Sequence, residues 1–419
     1  MAFPAEVTLF LSSLVEWWRS LTPIEWLLIL AVPLLIDLPR SIGRCTVLLI
    51  HALYLRARHR AADLGGDAPT VSIIIPAHNE EASIRKSIEA AVEDDYPRKE
   101  IIVVDDGSND RTYEYARPYV QNGRIKLFKR DSSSGSKTGA LNYGFTFSTG
   151  ELSIVVDADS LIERHAVREA TRYFDSKSVV AVSGNVKILS GDGGVTNLLT
   201  KLQAYEYMLS FEIGRRLQAL IGTLVISPGA FTCFRSSIGR QVGLFDSDTI
   251  TEDFDFSVKM RKAGYRIDFA PRAIAWTYCP ATWRSWVRQR TRWSHGQIST
   301  LRKHFDLFRK HRYNMRFVLT MYDMLLMDIV LVSVRIFWFA SLAVLFTPGL
   351  LFSSVTIMIV YLVAELFSAF TAGLLSPRRG QDLRRIYLAP LMVLFYRPLY
   401  TLVRIAAYIE WYRKRRAAW

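Results

Sequence analysis

The pattern of apolar and polar residues between positions 69 and 280 predicts a sheet flanked by helices. Val71–Pro76 is an almost unbroken apolar run ended by proline, which is typical of a buried parallel strand, and the stretch Glu80–Val92 predicts the helix that follows it. Further runs predict buried strands at Glu100–Val104, Ile125–Phe128, Leu152–Val156 and Val179–Ser183. Strands that alternate with helices in this way predict an α/β fold with a mostly parallel sheet.

Two apolar runs, Ile24–Leu38 and Thr46–Leu55, precede this region. Each is shorter than the roughly 20 residues that a transmembrane helix needs. They fit one kinked span, two spans, or one span and an interfacial helix. We expect no cleaved signal peptide, because no basic start precedes the first run and no small-residue cleavage site follows it.

The chain is again mostly apolar after about Asp323. Leu325–Phe346 and Leu350–Leu375 are long enough to cross a bilayer. A third run, Ile386–Ile409, is interrupted by an Arg-Pro pair and either crosses or re-enters. The predicted organisation is membrane segments at 1–60, an α/β domain at 69–280, amphipathic interfacial helices at 281–316 and transmembrane helices at 317–419.

Composition and charge support an integral membrane protein with one water-soluble domain. Half of the 419 residues are hydrophobic and the mean hydropathy is +0.13, yet 22% are charged. The net charge is +14, and the segment Ala281–Arg316 holds ten Lys or Arg against one acid, Asp306. This segment and the basic run Arg56–Arg60 flank apolar stretches, so we expect them on the cytoplasmic side of a lipid bilayer and expect no nucleic acid partner. The three cysteines form no CxxC pair, which argues against structural zinc.

Polar clusters follow several of the predicted strands, where ligands bind in parallel α/β sheets. Asp157-Ala158-Asp159 comes directly after Leu152–Val156. Two carboxylates at i and i+2 can share a divalent cation with a substrate diphosphate, and a solvated acidic turn is the alternative.

Three further clusters lie in the first half of the domain. Asn79 follows the first strand, where it could cap the next helix, and Asp105-Asp106-Gly107-Ser108 follows the second. The loop Ser132–Gly139 contains Lys137, a counter-charge for phosphate. It lacks the spacing of a Walker P-loop, so we do not expect nucleotide hydrolysis. An ordinary turn is the alternative for each cluster.

Two clusters come later in the chain. Thr251-Glu252-Asp253 precedes a helical stretch, so its carboxylates either stabilise the helix N-terminus or remove a proton from an attacking hydroxyl. Gln289, Arg292 and Trp293 share one helix face at i, i+3 and i+4. An arginine binds diphosphate bidentately and a tryptophan packs on a sugar ring, whereas the alternative is an interfacial helix. Both interpretations can hold together.

In this order the clusters resemble the motifs of the membrane-integrated family-2 glycosyltransferases, which include cellulose, chitin, hyaluronan and poly-N-acetylglucosamine synthases. The resemblance covers about residues 70 to 300. The motifs are Pro-Ala-x-Asn-Glu (76–80), Asp-Asp-Gly-Ser (105–108), Lys-x-Gly-Ala-Leu-Asn (137–142), Asp-Ala-Asp (157–159), Gly-Ala-Phe-Thr (229–232), Thr-Glu-Asp (251–253) and Gln-x-x-Arg-Trp (289–293).

The resemblance implies a GT-A fold and inverting transfer from a UDP-sugar with Mg²⁺ or Mn²⁺. His78 stands where many members have tyrosine, which leaves base stacking there open. The implied roles are uridine binding by Ala77, Glu80 and Asp106, ribose–diphosphate binding by Lys137 and Asp157, metal binding by Asp159, substrate binding by Glu252, general-base catalysis by Asp253, and closure over the diphosphate and acceptor sugar by Gln289, Arg292 and Trp293.

The predicted function is a processive polysaccharide synthase with a cytoplasmic catalytic domain, which moves its product through its own membrane helices. N-acetylglucosamine is the predicted sugar, because Ser227–Arg235 resembles the amino-sugar synthases more than cellulose synthase. The alternatives are a non-processive transferase with a lipid acceptor and a non-enzymatic membrane scaffold. Candidate channel residues are Tyr322, Trp338, Tyr361, Glu365, Tyr396 and Tyr400. Interfacial belts are the alternative for the aromatic residues, whereas Glu365 is predicted to face the channel because a carboxylate inside a span is costly.

Overall fold

The computed structural model describes residues 5–57, 68–309, 313–325 and 329–417. It begins with helix α1 (Ala5–Ser20), which was not predicted from the sequence. Helix α2 (Pro23–Val32) continues through a π turn at Pro33–Asp37 into α3 (Leu38–Ala57). The two N-terminal apolar runs therefore form one continuous helical segment, as in the single-span interpretation. Most of the basic run Arg56–Arg60 lies outside the described residues.

Within the described residues, eight strands form one mixed sheet in the order β3-β2-β1-β4-β7-β6-β8-β5. The strands are β1 (Val71–Ala77), β2 (Lys99–Asp105), β3 (Lys126–Lys129), β4 (Leu152–Val155), β5 (Ser160–Ile162), β6 (Val179–Gly191), β7 (Thr232–Arg235) and β8 (Arg266–Cys279). Strands β1 to β4 pair in parallel, as do β6 and β8. Strand β7 is antiparallel to β4 and β6, and β5 is antiparallel to β8. The predicted mostly parallel α/β sheet is confirmed, although β5, β7 and β8 were not predicted.

The helices of this domain cover both faces of the sheet. They are α4 (Ile84–Glu93), α5 (Thr112–Gln121), α6 (Lys137–Thr146), α7 (Ala166–Thr171), α8 (Leu198–Leu209), α9 (Arg216–Leu220), α10 (Ser236–Gln241), α11 (Glu252–Lys262) and α12 (Trp283–Lys303). Side chains alternate across β1, so Ile73 and Ile75 pack in one apolar layer with α4, and Ile74 packs in the other with Phe145 of α6.

Helix α4 begins four residues later than predicted, at Ile84, with Ser83 at the N-cap position. The prediction that Asn79 caps this helix is wrong. Asn79 has a positive φ of 56°, and its side-chain oxygen accepts a hydrogen bond from the Asn109 backbone instead. Asparagine tolerates this left-handed conformation, so Asn79 stabilises the turn that follows β1.

The C-terminal region is helical. Its helices are α13 (Met315–Leu325), α14 (Leu331–Leu345), α15 (Leu350–Leu375), α16 (Arg379–Leu383), α17 (Ala389–Leu391) and α18 (Arg397–Ala417). Within the described residues, three segments are long and apolar enough to cross a membrane: Pro23–Tyr54, Leu350–Leu375 and Arg379–Arg413. The last includes the predicted third run, and a π turn at Met392–Tyr396 leads directly into its Arg-Pro pair. Helix α14 has 15 residues, fewer than predicted, but positions 326–328 before it are outside the described part of the chain.

Candidate active site

The carboxyl ends of neighbouring strands bring the early motifs to one edge of the sheet. Ala77 at the end of β1 pairs in register with Asp105 at the end of β2, and the Ala77 carbonyl accepts a hydrogen bond from the Asp106 backbone at 2.9 Å. Asp157 lies two residues beyond β4, the other neighbour of β1. The parallel pairing therefore explains why clusters far apart in the sequence meet in space.

Lys137 connects two of the motifs. It opens α6, whose N-cap residue Ser136 accepts a hydrogen bond from the Gly139 backbone. Its ammonium contacts a carboxylate oxygen of Asp157 and lies 3.0 Å from Oε1 of Glu252 at the start of α11. Burial opposes the charge on Lys137, but these two carboxylates hold its pKa above the usual value. The cation is thus fixed between the strand-end motif and the Thr-Glu-Asp motif.

Asp253 lines a small cavity together with Lys137, Glu252 and Gly229. Its Oδ2 accepts a hydrogen bond from the Gly229 backbone at 3.2 Å, and its Oδ1 accepts one from Phe254 at 2.8 Å. Burial raises the pKa of Asp253 to about 6, with a further contribution from the negative charge of Glu252. A carboxylate with such a pKa can accept a proton near neutral pH.

Asp159 lies in a group of carboxylates with Asp157 and Glu80. Burial, together with the negative charges of Asp157 and Glu80, raises the pKa of Asp159 to about 7. Burial also raises the pKa of Glu80, whose Oε2 accepts a hydrogen bond from Ser83. Several carboxylate oxygens with incompletely compensated charge match the ligand set that Mg²⁺ and Mn²⁺ prefer. The chemical type of these side chains therefore fits a divalent metal.

A second acidic group, Asp246, Asp248 and Asp255, has carboxylate oxygens within 4.8 Å of one another. The ammonium of Lys303 lies 2.7, 2.6 and 3.1 Å from these three carboxylates. The lysine already supplies a positive charge at the point where a metal would bind. We therefore interpret this group as an ion-pair cluster that holds the end of α12 against α11.

Asp106 is almost fully buried and is engaged with protein groups. Its Oδ2 accepts hydrogen bonds from the Ser134 backbone and from the hydroxyls of Ser133 and Ser134, and its Oδ1 lies 3.0 Å from Arg130. The carboxylate thus holds the loop that leads to Lys137. Its implied contact with uridine stays a prediction.

The three late residues lie on α12. Arg292 is exposed. Burial raises the pKa of Glu252, but the positive charge of Lys137 and, to a smaller extent, that of Arg292 bring it below its usual value. Gln289 and Trp293 are partly exposed. A β-carbon built on Gly296, one turn further on, would lie 2.3 Å from Thr251 Cγ2, so α12 approaches the Thr-Glu-Asp motif directly. The helix therefore packs against the residue that precedes Glu252 and Asp253.

Two features of the site were missed from the sequence. A β-carbon on Gly229 would lie 2.5 Å from Lys137 Nζ, so this glycine makes room for the lysine. Arg290, inside the last motif, is buried and pairs with Glu206 at 2.6 Å. The Gly-Ala-Phe-Thr motif was a signal for the first feature, whereas the pairing of Arg290 had no signal in the local pattern.

Glu365, the predicted channel carboxylate, is buried in the helical region. Its two oxygens lie 3.0 and 2.8 Å from the guanidinium of Arg397. The ion pair lowers the energetic cost of a carboxylate inside the candidate span Leu350–Leu375. Contact with a water-filled cavity would also lower that cost. The channel role of Glu365 stays a prediction.

The mixed sheet and the polar edge at β1, β2 and β4 define a GT-A glycosyltransferase fold. Among solved structures, the chain is similar to the mannosyltransferase PcManGT from Pyrobaculum calidifontis, in complex with GDP-Man and Mn²⁺, with a TM-score of 0.58 and 20% identity over 87% of this chain and 98% of that one. At this identity the similarity concerns the fold alone.

Residues 68–296 match the family described as glycosyltransferase like family 2. The chain therefore belongs to glycosyltransferase family 2. It is 33% identical over 254 residues to the probable glycosyltransferase YdaM of Bacillus subtilis and 31% identical over 236 residues to poly-beta-1,6-N-acetyl-D-glucosamine synthase of Staphylococcus epidermidis. These alignments cover 58% and 56% of this chain, and 60% and 56% of the length of the relatives.

Proposed function

We propose that the protein is an inverting glycosyltransferase of the membrane, which transfers N-acetylglucosamine from UDP-N-acetylglucosamine to a growing polysaccharide. The single observation that carries the proposal is the arrangement of Lys137 between Asp157 and Glu252, with Asp253 in the same cavity. One cation and one proton acceptor then lie side by side, as the transfer of a sugar from a diphosphate requires. The similarity to poly-N-acetylglucosamine synthases supports the choice of sugar.

In this proposal the donor binds along the carboxyl edge of the sheet. Ala77, Glu80 and Asp106 contact the uridine, and Lys137 and Asp157 contact the ribose and diphosphate. Asp159 holds Mg²⁺ or Mn²⁺, which would stabilise the negative charge that develops on the leaving diphosphate. The positive charges of Lys137 and Arg292 also stabilise the leaving diphosphate, and Glu252 holds the ammonium of Lys137 in place.

Asp253 acts as the general base. The acceptor hydroxyl attacks the anomeric carbon on the face opposite the diphosphate, Asp253 Oδ takes the hydroxyl proton, and the bond to the diphosphate breaks. The anomeric carbon develops oxocarbenium character, as in glycoside hydrolysis, and its configuration inverts. The pKa of about 6 supports this role, because the base is ionised at neutral pH and still binds a proton.

The acceptor is proposed to lie against Trp293 and Gln289, on α12. This helix packs along α18, which belongs to the candidate span Arg379–Arg413. A polysaccharide is too polar to cross lipid unaided, so the product would leave through the helical region. The basic residues around α12 support a cytoplasmic position for the catalytic domain.

UDP release by the purified, detergent-solubilised protein tests the proposal. A panel of UDP-sugars is supplied with Mg²⁺ or Mn²⁺, and wild type is compared with Asp253→Asn and, as control, with Asp248→Asn in the ion-pair cluster. We expect UDP-N-acetylglucosamine to be turned over, Asp253→Asn to lower turnover by roughly 10²-fold or more with donor binding retained, and the control to stay active. Absence of turnover with every donor would support the scaffold alternative. A large loss of UDP affinity with near-normal turnover would make Asp253 a helix-capping residue.

A further inference from the structure

The carboxylate of Glu206 in α8 joins segments that are far apart in the sequence. Its Oε2 lies 2.6 Å from the guanidinium of Arg290 in α12 and accepts a hydrogen bond of 2.6 Å from the hydroxyl of Tyr396. The Tyr396 hydroxyl in turn accepts a hydrogen bond of 2.9 Å from Trp286 Nε1. Tyr396 ends the π turn before α18, within the candidate span Arg379–Arg413. One carboxylate therefore ties the catalytic domain to α12 and to a candidate transmembrane segment.

Arg290 also contacts the motif residues on both sides of it. Its Cζ lies 4.2 Å from the centroid of the Trp293 ring, and its NH1 donates a hydrogen bond of 3.4 Å to Gln289 Oε1. A guanidinium over an indole face is attracted to the ring and fixes its plane. Arg290 is fully buried, whereas Trp293 is partly exposed. The arginine thus supports the tryptophan from the interior and leaves part of the ring accessible.

Stability alone does not explain this group of charges, in which Arg290 is fully buried and Glu206 is partly exposed. The cost of removing two charges from water is about as large as their mutual attraction. Apolar residues of similar volume often stabilise a protein at least as much as a buried ion pair does. What hydrogen-bonded charges add is a defined orientation, because the guanidinium and the hydroxyl must both point at the same carboxylate. Arg290, Glu206 and Tyr396 therefore fix where α12 and its tryptophan lie.

We propose that Arg290 is a positioning residue for the acceptor sugar. It holds the ring of Trp293 in the plane on which the terminal sugar of a carbohydrate acceptor packs, and Glu206 and Tyr396 keep that plane in register with the candidate span Arg379–Arg413. The proposal rests on the acceptor role proposed above for Trp293. It predicts that loosening the group impairs retention of the acceptor while binding and activation of the donor persist.

The test uses the full-length purified protein with UDP-N-acetylglucosamine and measures UDP release, the fraction of released sugar that appears as free monosaccharide, and product length. Tyr396→Phe removes the hydroxyl and keeps the ring that packs on Trp286. Glu206→Gln removes the negative charge and keeps the shape. The matched control is Tyr119→Phe, because the Tyr119 hydroxyl in α5 also donates a hydrogen bond to a carboxylate, that of Glu89 in α4, at 2.7 Å.

We expect both variants at the Glu206 group to keep the donor KM and the rate of UDP release within a few fold, to raise the share of free monosaccharide about tenfold, and to shorten the product, since small displacements of a bound reactant cost this much in transfer. Tyr119→Phe should match wild type. The proposal is overturned if Tyr396→Phe and Glu206→Gln give wild-type partitioning, or if UDP release falls in proportion to transfer. Failure of the proposed function looks different, because wild type would then release no UDP or would make no polymer.

Discussion

Gly296 of α12 lies directly against Thr251, the residue before Glu252 and Asp253. A β-carbon built on Gly296 would lie 2.3 Å from Cγ2 and 2.6 Å from Oγ1 of Thr251. Carbon atoms that are not bonded do not approach this closely, so the absent side chain allows the helix to reach the segment that carries the proposed base. The close approach of α12 to this segment thus depends on a glycine.

Gly296→Ala should separate α12 from Thr251 and lower kcat by about tenfold or more, because moving α12 away from this segment misaligns the acceptor with the base. Steady-state kinetics on the purified protein measure the change, and Thr251→Ala in the same chain should restore part of the activity by removing the two closest atoms. The control is Gly214→Ala, where an added β-carbon meets no atom within 4 Å. Wild-type kcat in Gly296→Ala would show that the contact has no role in catalysis.

The pH dependence of kcat should follow the ionisation of Asp253. A general base must be unprotonated, and burial and Glu252 raise the pKa of this carboxyl to about 6. Turnover at saturating donor and metal should therefore be constant above this value and fall as the pH decreases through about 6. The residual activity of Asp253→Asn should lack that limb. A flat wild-type profile across this range would exclude Asp253 as the base.

Asp159→Asn should weaken activation by metal. The substitution removes one negative charge from the group of Asp157, Asp159 and Glu80, so the Mn²⁺ concentration for half-maximal activity should rise by about tenfold or more, comparable to the loss of other groups that support a metal site. Asp246→Asn is the matched control, because Asp246 already pairs with Lys303. A larger effect of Asp246→Asn than of Asp159→Asn would move the metal to the second acidic group.

Lys187 links the sheet to the region after α15. Its ammonium lies 2.7 Å from Asp382 and 3.4 Å from Glu212, and all three side chains are buried. Lys187→Met leaves two buried carboxylates with less compensation, so we expect the free energy of unfolding to fall by about 3 kcal/mol. Thermal unfolding in detergent measures this. Lys126→Met, in an exposed pair with Glu100, should cost less than about 1 kcal/mol. If the two substitutions lowered the free energy of unfolding equally, the buried contacts of Lys187 would contribute no more to stability than an exposed ion pair.

Strands β1, β2 and β4 were predictable because they are largely apolar runs that are followed by turn residues. Strands β7 and β8 lack this signal. Strand β7 has four residues, and β8 (Arg266–Cys279) contains a proline and several charged residues. Strand β7 is placed by antiparallel pairing with β4 and β6, and β8 by parallel pairing with β6 and antiparallel pairing with β5. No local sequence pattern encodes these pairings. Tertiary packing therefore determines the second half of the sheet.

The residue types of the candidate site were predictable from the motifs, but their contacts were not. The link from Lys137 to Glu252 joins distant parts of the chain, and the packing of Asp106 against Ser133 and Ser134 depends on a loop conformation. The pair of Glu365 with Arg397 brings together two helices whose relative position is set by packing. Each of these contacts is a product of the fold.

The size and solubility of the product test the central claim most directly. Purified wild-type protein is incubated with radiolabelled UDP-N-acetylglucosamine and Mn²⁺, and the product is separated by gel filtration and by extraction into organic solvent. We predict a long polymer that stays in the aqueous phase, remains bound to the enzyme and is absent with Asp253→Asn. A short, lipid-linked product that passes into the organic solvent would contradict the polysaccharide synthase and leave the catalytic roles of Lys137 and Asp253 in place.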